Sequence, residues 1–298
     1  MKSKMKKRDA LILKIVLSVV LLAYSVSLFI PVLWGLMTSF KTQSDFRHSV
    51  FGWPKPFTFE NYATAVRNLF RDVQDPHNAS QMLRVYFPLM FVYSLLYAGG
   101  CAIFSTTTAC VVAYATVKFS KFKLSKVIYT IVIVTMILPV IGNLPSEIRM
   151  SQLLGLYNTF LGIWIMKMTF LGMYFLVFHA TFRGVAKDYY EAAYLDGASE
   201  LRVMLQIAFP LVKYTYFTVL LLNFITFWND YQVPLIYMPS YPTAAYGVYL
   251  FNNSNNAQLS TVPVRITGCI FLLTPVLILF MAFHRRLIGN VSMGGIKE

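Results

Sequence analysis

The chain has 298 residues, of which 57% are hydrophobic and only 13% are charged. Its mean hydropathy is +0.59. Soluble globular domains contain about 25% charged residues, so a soluble fold is the weaker interpretation and a polytopic membrane protein the stronger one. The formal net charge is +14, but the cations gather beside apolar runs, which is typical of membrane topology and not of a nucleic-acid-binding protein.

Six apolar runs approach the roughly 20 residues that a helix needs to cross a bilayer core of about 30 Å. We place these spans at Ile15–Met37, Tyr86–Tyr114, Val127–Leu144, Phe160–Phe178, Leu211–Trp228 and Ile266–Phe283. The first run is too long for a signal-peptide core and is interpreted as a retained helix. The sequence therefore predicts an all-α membrane protein with six transmembrane helices.

The positions of the basic residues predict the orientation of these helices. Lysines and arginines precede the first span, lie between the second and third, and follow the last: Lys2, Lys4, Lys6, Lys7, Arg8, Lys118, Lys121, Lys123, Lys126, Arg285 and Arg286. An even number of spans returns both termini to one side, which the positive-inside rule makes the cytoplasm. The segment 38–85 has mixed charge, and we expect it outside. Within it, the proline- and aromatic-rich stretch 51–62 predicts a turn-rich cap followed by a short helix, and residues 75–80 predict a further loop.

A polar segment separates the fourth and fifth spans. Residues 187–196 combine good helix formers with apolar positions, which predicts an amphipathic helix. Gly197 can adopt the left-handed conformation that ends a helix, and Ser199 is placed to cap a second helix. The apolar positions of the first helix are Tyr190, Ala193 and Tyr194, and those of the second are Leu201, Leu205 and Ile207.

The spacing of residues in this segment carries a resemblance. Glu-Ala-Ala at 191–193, Gly197 and Ile-Ala-Phe-Pro at 207–210 resemble the cytoplasmic signature loop of the membrane-spanning subunits of binding-protein-dependent ABC importers. An ordinary amphipathic loop is the alternative. The resemblance implies that an ATPase subunit is contacted by Glu191, Ala192, Ala193, Asp196, Gly197, Ile207 and Pro210. The two alanines would seat closely in a groove, and Glu191 would orient the contact.

Other stretches extend the resemblance to maltose-type carbohydrate permeases. These are residues 51–62, 156–159 with Gly162, 228–230 and 293–297. The resemblance implies a type I ABC importer permease fold. It divides the chain into a first helix with an outer loop (1–85), a permease core of five helices (86–288) that contains a cytoplasmic coupling loop (181–210), and a cytoplasmic tail (289–298).

The same resemblance implies the function, the partners and the localisation. The chain would import a carbohydrate, in the first place an oligosaccharide, that a solute-binding protein delivers. The partners are a second related permease, two ATPase subunits and this extracytoplasmic solute-binding protein, in a bacterial cytoplasmic membrane and its lipid. The chain lacks the Gly-x4-Gly-Lys-Ser/Thr phosphate loop, so ATP and Mg²⁺ would bind the ATPase subunits and this chain would carry no cofactor. We expect a transporter subunit without catalytic residues, without a metal site and without a nucleic-acid partner.

Five polar or aromatic residues are candidates for the substrate pathway: Lys167, Asn223, Trp228, Asn229 and Asp230. An ammonium at membrane depth costs about 2.5 to 3.5 kcal/mol, so Lys167 either faces a polar cavity or snorkels outward. Asn223 is expected to bond a neighbouring helix rather than a ligand. The stretch 228–230 is interpreted as an outer latch, with Trp228 as an interfacial anchor and Arg265 as the partner expected for Asp230.

Three alternatives are weighed for the function. The same architecture can carry a solute other than an oligosaccharide. A polytopic membrane enzyme would need acidic or histidine residues clustered at one membrane face, and the sequence offers no such cluster. A self-powered carrier is disfavoured because we find neither an internal repeat nor paired membrane carboxylates.

Overall fold

The computed structural model describes residues 2–76, 78, 80–138, 142–254, 256 and 259–291, with side chains described between residues 11 and 282. The chain forms two compact units, residues 1–69 with 250–274 and residues 70–249 with 275–298. The tail 293–297 lies outside the described residues. The elements are α1 (Lys2–Ser39), α2 (Gln43–His48), α3 (Glu60–Asn68), β1 (Phe70–Gln74), β2 (Met82–Tyr86), α4 (Phe87–Lys118), α5 (Lys123–Ile137), α6 (Leu144–Leu153), α7 (Phe160–Met166), α8 (Met173–Arg183), α9 (Asp188–Leu195), α10 (Glu200–Val203), a π-helical turn (Met204–Ala208), α11 (Phe209–Trp228), α12 (Gln232–Tyr237), α13 (Ala244–Asn252) and α14 (Val262–Val291).

Four helical segments within the described residues are long and apolar enough to cross a membrane: Leu11–Ser39, Phe87–Lys118, Glu200–Trp228 and Val262–Ala282. They coincide with the first, second, fifth and sixth predicted spans. The third prediction overlaps α5, which begins four residues earlier and has 15 residues. The structure thus shows a mostly helical chain with four candidate membrane spans in its described part, and the count of six spans stays a prediction.

The prediction of one helix over Phe160–Phe178 is wrong. The structure ends α7 at Met166 and starts α8 at Met173. The Thr169 hydroxyl accepts a hydrogen bond from the Leu171 N–H at 3.1 Å, and Gly172 has φ +145°. A side chain that bonds nearby backbone competes with the helical ladder, and the glycine conformation lies outside the helical region. Apolar composition alone did not reveal this break.

The all-α prediction also missed the antiparallel hairpin of β1 and β2, which pair from Phe70 opposite Tyr86 to Gln74 opposite Met82. Its register places Asp72 opposite Arg84, and the Arg84 guanidinium donates to the Asp72 carboxylate at 2.8 and 3.1 Å. Opposite charges directly across a strand pair stabilise the pairing. The predicted loop around Asp75 lies between the strands.

In the first unit, buried polar groups fix the carboxyl end of α1. Asn61 donates from its side-chain amide to the carbonyls of Ser39 and Lys41, each at 2.7 Å. The fully buried Lys41 ammonium donates to the carbonyls of Ser49 and Val50 at 2.6 and 3.2 Å. These bonds satisfy carbonyls that a helix end and its following turn would leave unpaired. The short helix predicted after the proline-rich stretch is α3.

In the second unit, α4 packs along α8 and α11. Small side chains on α4 permit close approach between helices, as is usual in membrane proteins. A Cβ at Gly100 would lie 2.0 Å from Nε1 of Trp164, whose N–H donates to the Leu96 carbonyl at 3.1 Å. The core includes the buried residues Ala109, Ala113, Val132, Phe175, Phe178 and Val212.

The stretch 156–159, on which part of the resemblance rests, fixes the start of α7. Asn158 has φ +57° and donates its N–H to the Tyr237 carbonyl at 2.8 Å, while its side-chain oxygen accepts from the Ser240 N–H at 3.1 Å. Thr159 caps α7 by accepting from the Gly162 N–H at 3.0 Å. A Cβ at Gly162 would lie 1.9 Å from the Leu156 carbonyl oxygen, so only glycine fits there. The residues of this stretch therefore have a structural role in the turn before α7.

Candidate functional site

The polar loop contains the predicted helix and its predicted end. Helix α9 spans Asp188–Leu195, and Gly197 follows with φ +78°. The Gly197 N–H donates to the Tyr194 carbonyl and the Ala198 N–H to the Ala193 carbonyl, each at 3.0 Å. These two bonds form a Schellman motif, which requires a left-handed residue at the position of Gly197.

The second helix starts where the sequence indicates, but it continues without a break. Ser199 is the N-cap of α10 and accepts from the Arg202 N–H at 3.4 Å. The π-helical turn then leads directly into α11, and Ile207 lies in that turn. Pro210 stands in the first turn of α11. Proline has no N–H to donate to the carbonyl four residues back. The π-helical turn before it uses backbone bonds between residues five apart instead of four.

The inward face of α9 is the face that the apolar pattern predicts. Ala193 is 8% exposed, and Tyr190 and Tyr194 are half-buried. The Lys118 ammonium at the end of α4 donates to the Tyr194 hydroxyl and lies 4.1 Å above the Tyr194 ring. It is also 3.8 Å from the Glu200 carboxylate. The predicted positive-inside residue Lys118 therefore also holds α9 and α10 against α4, a role that sequence reasoning missed.

Tyr194 connects these charges as a neutral phenol. Burial, followed by the hydrogen bond to the Glu200 carboxylate, raises the pKa of Tyr194 to about 12. The hydroxyl therefore keeps its proton at neutral pH and donates it to Glu200 at 2.7 Å. Burial also raises the pKa of Tyr190. Lys118, Tyr194 and Glu200 form a chain of charge-assisted bonds, which are stronger than neutral ones.

The outward face of α9 carries most of the predicted coupling residues. Glu191, Ala192, Asp196 and Gly197 are exposed. Ala193 is an exception, because it faces the interior of its own chain and does not offer a surface to a partner. Leu195, which we did not single out from the sequence, is 89% exposed. Helical spacing could have predicted this exposure, because Leu195 lies four residues after Glu191 and therefore on the face opposite the apolar positions.

Three further apolar side chains of the loop are exposed: Tyr189 of α9 at 57%, Leu201 of α10 at 62% and Leu205 of the π-helical turn at 54%. We call the exposed residues 189, 191, 192, 195–197, 201 and 205 the loop surface. Exposed apolar residues that cluster beside polar ones are typical of protein-protein contact sites. The loop surface can therefore bind a protein partner through an apolar contact with a carboxylate at its edge.

The stretch 228–230 is joined to α4. Trp228 is 1% exposed and packs edge-on against Phe91, with ring centroids 5.1 Å apart. The predicted interfacial anchor is therefore a core residue. The Asp230 carboxylate accepts from the Tyr97 hydroxyl at 2.8 Å and from the backbone N–H groups of residues 232 and 233. The sequence suggested Arg265 as the partner of Asp230, whereas the structure joins Asp230 to Tyr97 of α4 and to its own following turn.

The remaining pathway candidates each contact a different residue of the chain. The Asn223 amide is 6% exposed and donates to the Thr106 hydroxyl at 2.9 Å, as expected for an interhelical bond. Asn229 is exposed and donates to the Ile225 carbonyl at 2.9 Å. Lys167 is half-buried at the end of α7, with its ammonium 5.9 Å from the Phe227 ring. Both interpretations of Lys167 stay open.

Two permease proteins of sugar uptake systems are similar in sequence to this chain. It is 27% identical over 285 residues to the diacetylchitobiose uptake system permease protein NgcG of Streptomyces coelicolor, which covers 92% of this chain and 86% of that protein. It is 24% identical over 275 residues to the melibiose/raffinose/stachyose import permease protein MelC of Bacillus subtilis. This match covers 90% of this chain and 91% of that protein.

The fold is also that of a solved transporter. A chain in the crystal structure of a bacterial ABC transporter involved in the import of the acidic polysaccharide alginate superposes with a TM-score of 0.69 at 22% identity, covering 92% of this chain and 96% of that chain. The family described as "Binding-protein-dependent transport system inner membrane component" matches residues 105–292, which contain the loop surface. This match spans more than half of the chain, and the protein therefore belongs to that family of transport components.

Proposed function

We propose that the chain is one of two related permease subunits of an ATP-driven importer for a carbohydrate, most simply an oligosaccharide. The proposal includes two ATPase subunits that bind ATP and Mg²⁺, an extracytoplasmic solute-binding protein and six membrane spans in a bacterial cytoplasmic membrane. Family membership supports the permease role. The substrate class is supported by relatives named for diacetylchitobiose and for melibiose, raffinose and stachyose.

The observation that carries the ATPase contact is the loop surface. Leu195 is 89% exposed at the end of a helix whose other face is bonded to α4 through Lys118. Motion of α9 would therefore be transmitted to α4, which is a candidate membrane span. Closure of the ATPase subunits would move these elements together and change access to the pathway, as in other rigid-body transitions.

Leu195→Arg tests this contact in the assembled complex. The side chain is exposed, so the substitution should leave folding intact. We expect association with the ATPase subunits to fall at least about 10-fold, since an uncompensated charge buried in the contact costs about 3 kcal/mol or more. Leu153→Arg is the matched control, because Leu153 is 74% exposed on α6. Normal association of Leu195→Arg would contradict the proposed role of the loop.

The substrate class needs a separate test. Binding of mono- and oligosaccharides, polyols and glycosides to the cognate solute-binding protein should rank an oligosaccharide first, and uptake by the complex should follow the same order. A clear preference for a non-sugar solute would overturn the carbohydrate assignment. The permease role would stand, because family membership does not depend on the substrate.

A further inference from the structure

A basic cavity of about 940 Å³ opens where α4, α5, α8 and α9 meet. Its volume is within the roughly 300 to 1,000 Å³ of small-molecule sites. Its walls carry five lysine and arginine side chains and one carboxylate: Lys118, Lys121, Lys126, Arg183, Lys187 and Glu191. An anionic ligand therefore complements the charge of this cavity.

Most of these cations have no acidic partner in the described part of the chain. Lys118 is 3.8 Å from Glu200, whereas no described carboxylate oxygen lies within 4 Å of Lys121, Lys126, Arg183 or Lys187. Aromatic residues share the walls, among them Phe122 and Tyr129. Unpaired cations beside aromatic rings suit a ligand that has both an anionic group and an apolar part.

An apolar furrow of about 320 Å³ adjoins the cavity along α5 and shares Lys126 and Thr130 with it. Its other walls are Val127, Ile131, Val134 and Thr135. The hydroxyls of Thr130 and Thr135 donate to backbone carbonyls of their own helix at 2.9 Å. Both threonines are thus satisfied internally, and the furrow favours a hydrocarbon chain.

The furrow leads from the cavity back along the membrane span. Val132 of α5 lies in one buried cluster with Ala109 and Ala113 of α4, so α5 turns back beside α4 after the turn at residues 119–122. The cavity is at the carboxyl end of α4, and the furrow runs along α5 back beside this candidate membrane span. This order of charge and then apolar surface matches a phospholipid.

We propose that this site binds an anionic phospholipid, with its phosphate in the basic cavity and one acyl chain in the furrow on α5. One wall of the cavity is formed by Lys187, Tyr190 and Glu191. The bound lipid would therefore contact α9 at Glu191, which also belongs to the loop surface. Lipid binding is independent of the proposed transport activity and can be measured without it.

The test compares retained lipid on the purified complex, by native mass spectrometry, in nanodiscs of phosphatidylglycerol and of phosphatidylcholine. We expect retention of phosphatidylglycerol, and about 30-fold weaker retention for the double variant Lys126→Gln with Arg183→Gln, since each cation near an anionic lipid contributes about one kcal/mol. Lys213→Gln with Arg202→Gln removes equal charge outside the cavity and should retain the lipid.

A second pair of variants tests the acyl chain. Ile131→Trp fills the furrow and should reduce retention, whereas Ile137→Trp, on the same helix outside the furrow, should not. Equal retention of both lipids, or a double variant equal to its control, would overturn the proposal. Competition by inorganic phosphate with no effect of Ile131→Trp would indicate a soluble anion instead. If the double variant lost ATPase association but retained phosphatidylglycerol normally, the cavity would be a contact site for a protein partner instead.

Discussion

The Tyr194 hydroxyl donates to the Glu200 carboxylate at 2.7 Å, and this bond joins α9 to α10 across the Gly197 turn. The Lys118 ammonium bonds the same hydroxyl. One phenol therefore connects the end of a candidate membrane helix to both helices of the loop.

Removal of this hydroxyl should loosen the loop without unfolding the protein. Tyr194→Phe keeps the ring over which Lys118 lies but removes the hydroxyl's bonds to Lys118 and Glu200, with a net loss of about 1 kcal/mol because these groups are partly exposed to water. We expect amide hydrogen exchange over residues 188–203 to accelerate about fivefold, with unchanged exchange in α4. Tyr189→Phe is the control, since Tyr189 is 57% exposed on the same helix. Equal exchange in the two variants would show that the bond does not restrain the loop.

The left-handed conformation of Gly197 predicts a graded series of substitutions. A Cβ at this position meets no atom within 4 Å, so Gly197→Ala is penalised by φ +78° alone, at about 1 to 2 kcal/mol. Gly197→Asn should cost less, because asparagine tolerates this region. ATPase association and uptake should decrease in the order Gly, Asn, Ala. Gly155→Ala carries a similar strain at φ +67° outside the loop and should leave association unchanged.

The bond between Asn223 and Thr106 predicts a stability effect rather than a transport effect. Asn223→Leu should lower the free energy of unfolding by about 0.6 to 1.7 kcal/mol, and a cycle with Thr106→Val should recover a similar coupling energy. We expect the KM of uptake to remain unchanged. A raised KM in a variant of normal stability would instead place Asn223 on the substrate path.

Lys167 can be tested as a pathway residue. Its ammonium lies near Phe227, which also contacts Tyr97, the partner of Asp230. If this cluster faces the ligand, Lys167→Met should raise the KM of uptake about 10-fold with unchanged ATPase association, as for loss of one charged hydrogen bond. Lys213→Met is the control on exposed α11 surface. Normal affinity and rate would remove Lys167 from the substrate path.

The hairpin should respond to acid. The hydrogen bond from Arg84 lowers the pKa of Asp72 below its usual value. The ionised carboxylate is therefore favoured in the folded hairpin, so its contribution is present above the unfolded pKa of about 3.9 and is lost as pH falls through the folded pKa. Amide protection of 70–86 should be constant from about pH 7 to 5 and decrease below about 4. Asp72→Asn and Arg84→Gln should both abolish this dependence.

Several features of the site follow from short windows of sequence. The start and end of α9, the capping by Ser199 and the inward direction of Tyr190, Ala193 and Tyr194 are set by helical periodicity and by the conformational freedom of Gly197. These signals act between residues one or two turns apart. The apolar runs likewise indicated the four long helices, because a helix that crosses a bilayer needs a length and an apolar composition that a single sequence shows.

What only the tertiary structure decided depends on residues distant in sequence. Lys118 reaches Tyr194 across 76 residues, and Tyr97 reaches Asp230 across 133. The break after Lys167 and the burial of Trp228 were likewise outside local prediction. The hydrophobic pattern of a sequence does not distinguish apolar residues that face lipid from those that face protein. A long cationic side chain can likewise reach many possible partners. Packing selects one of them, and here it bonded the predicted ATPase-facing loop to a membrane helix.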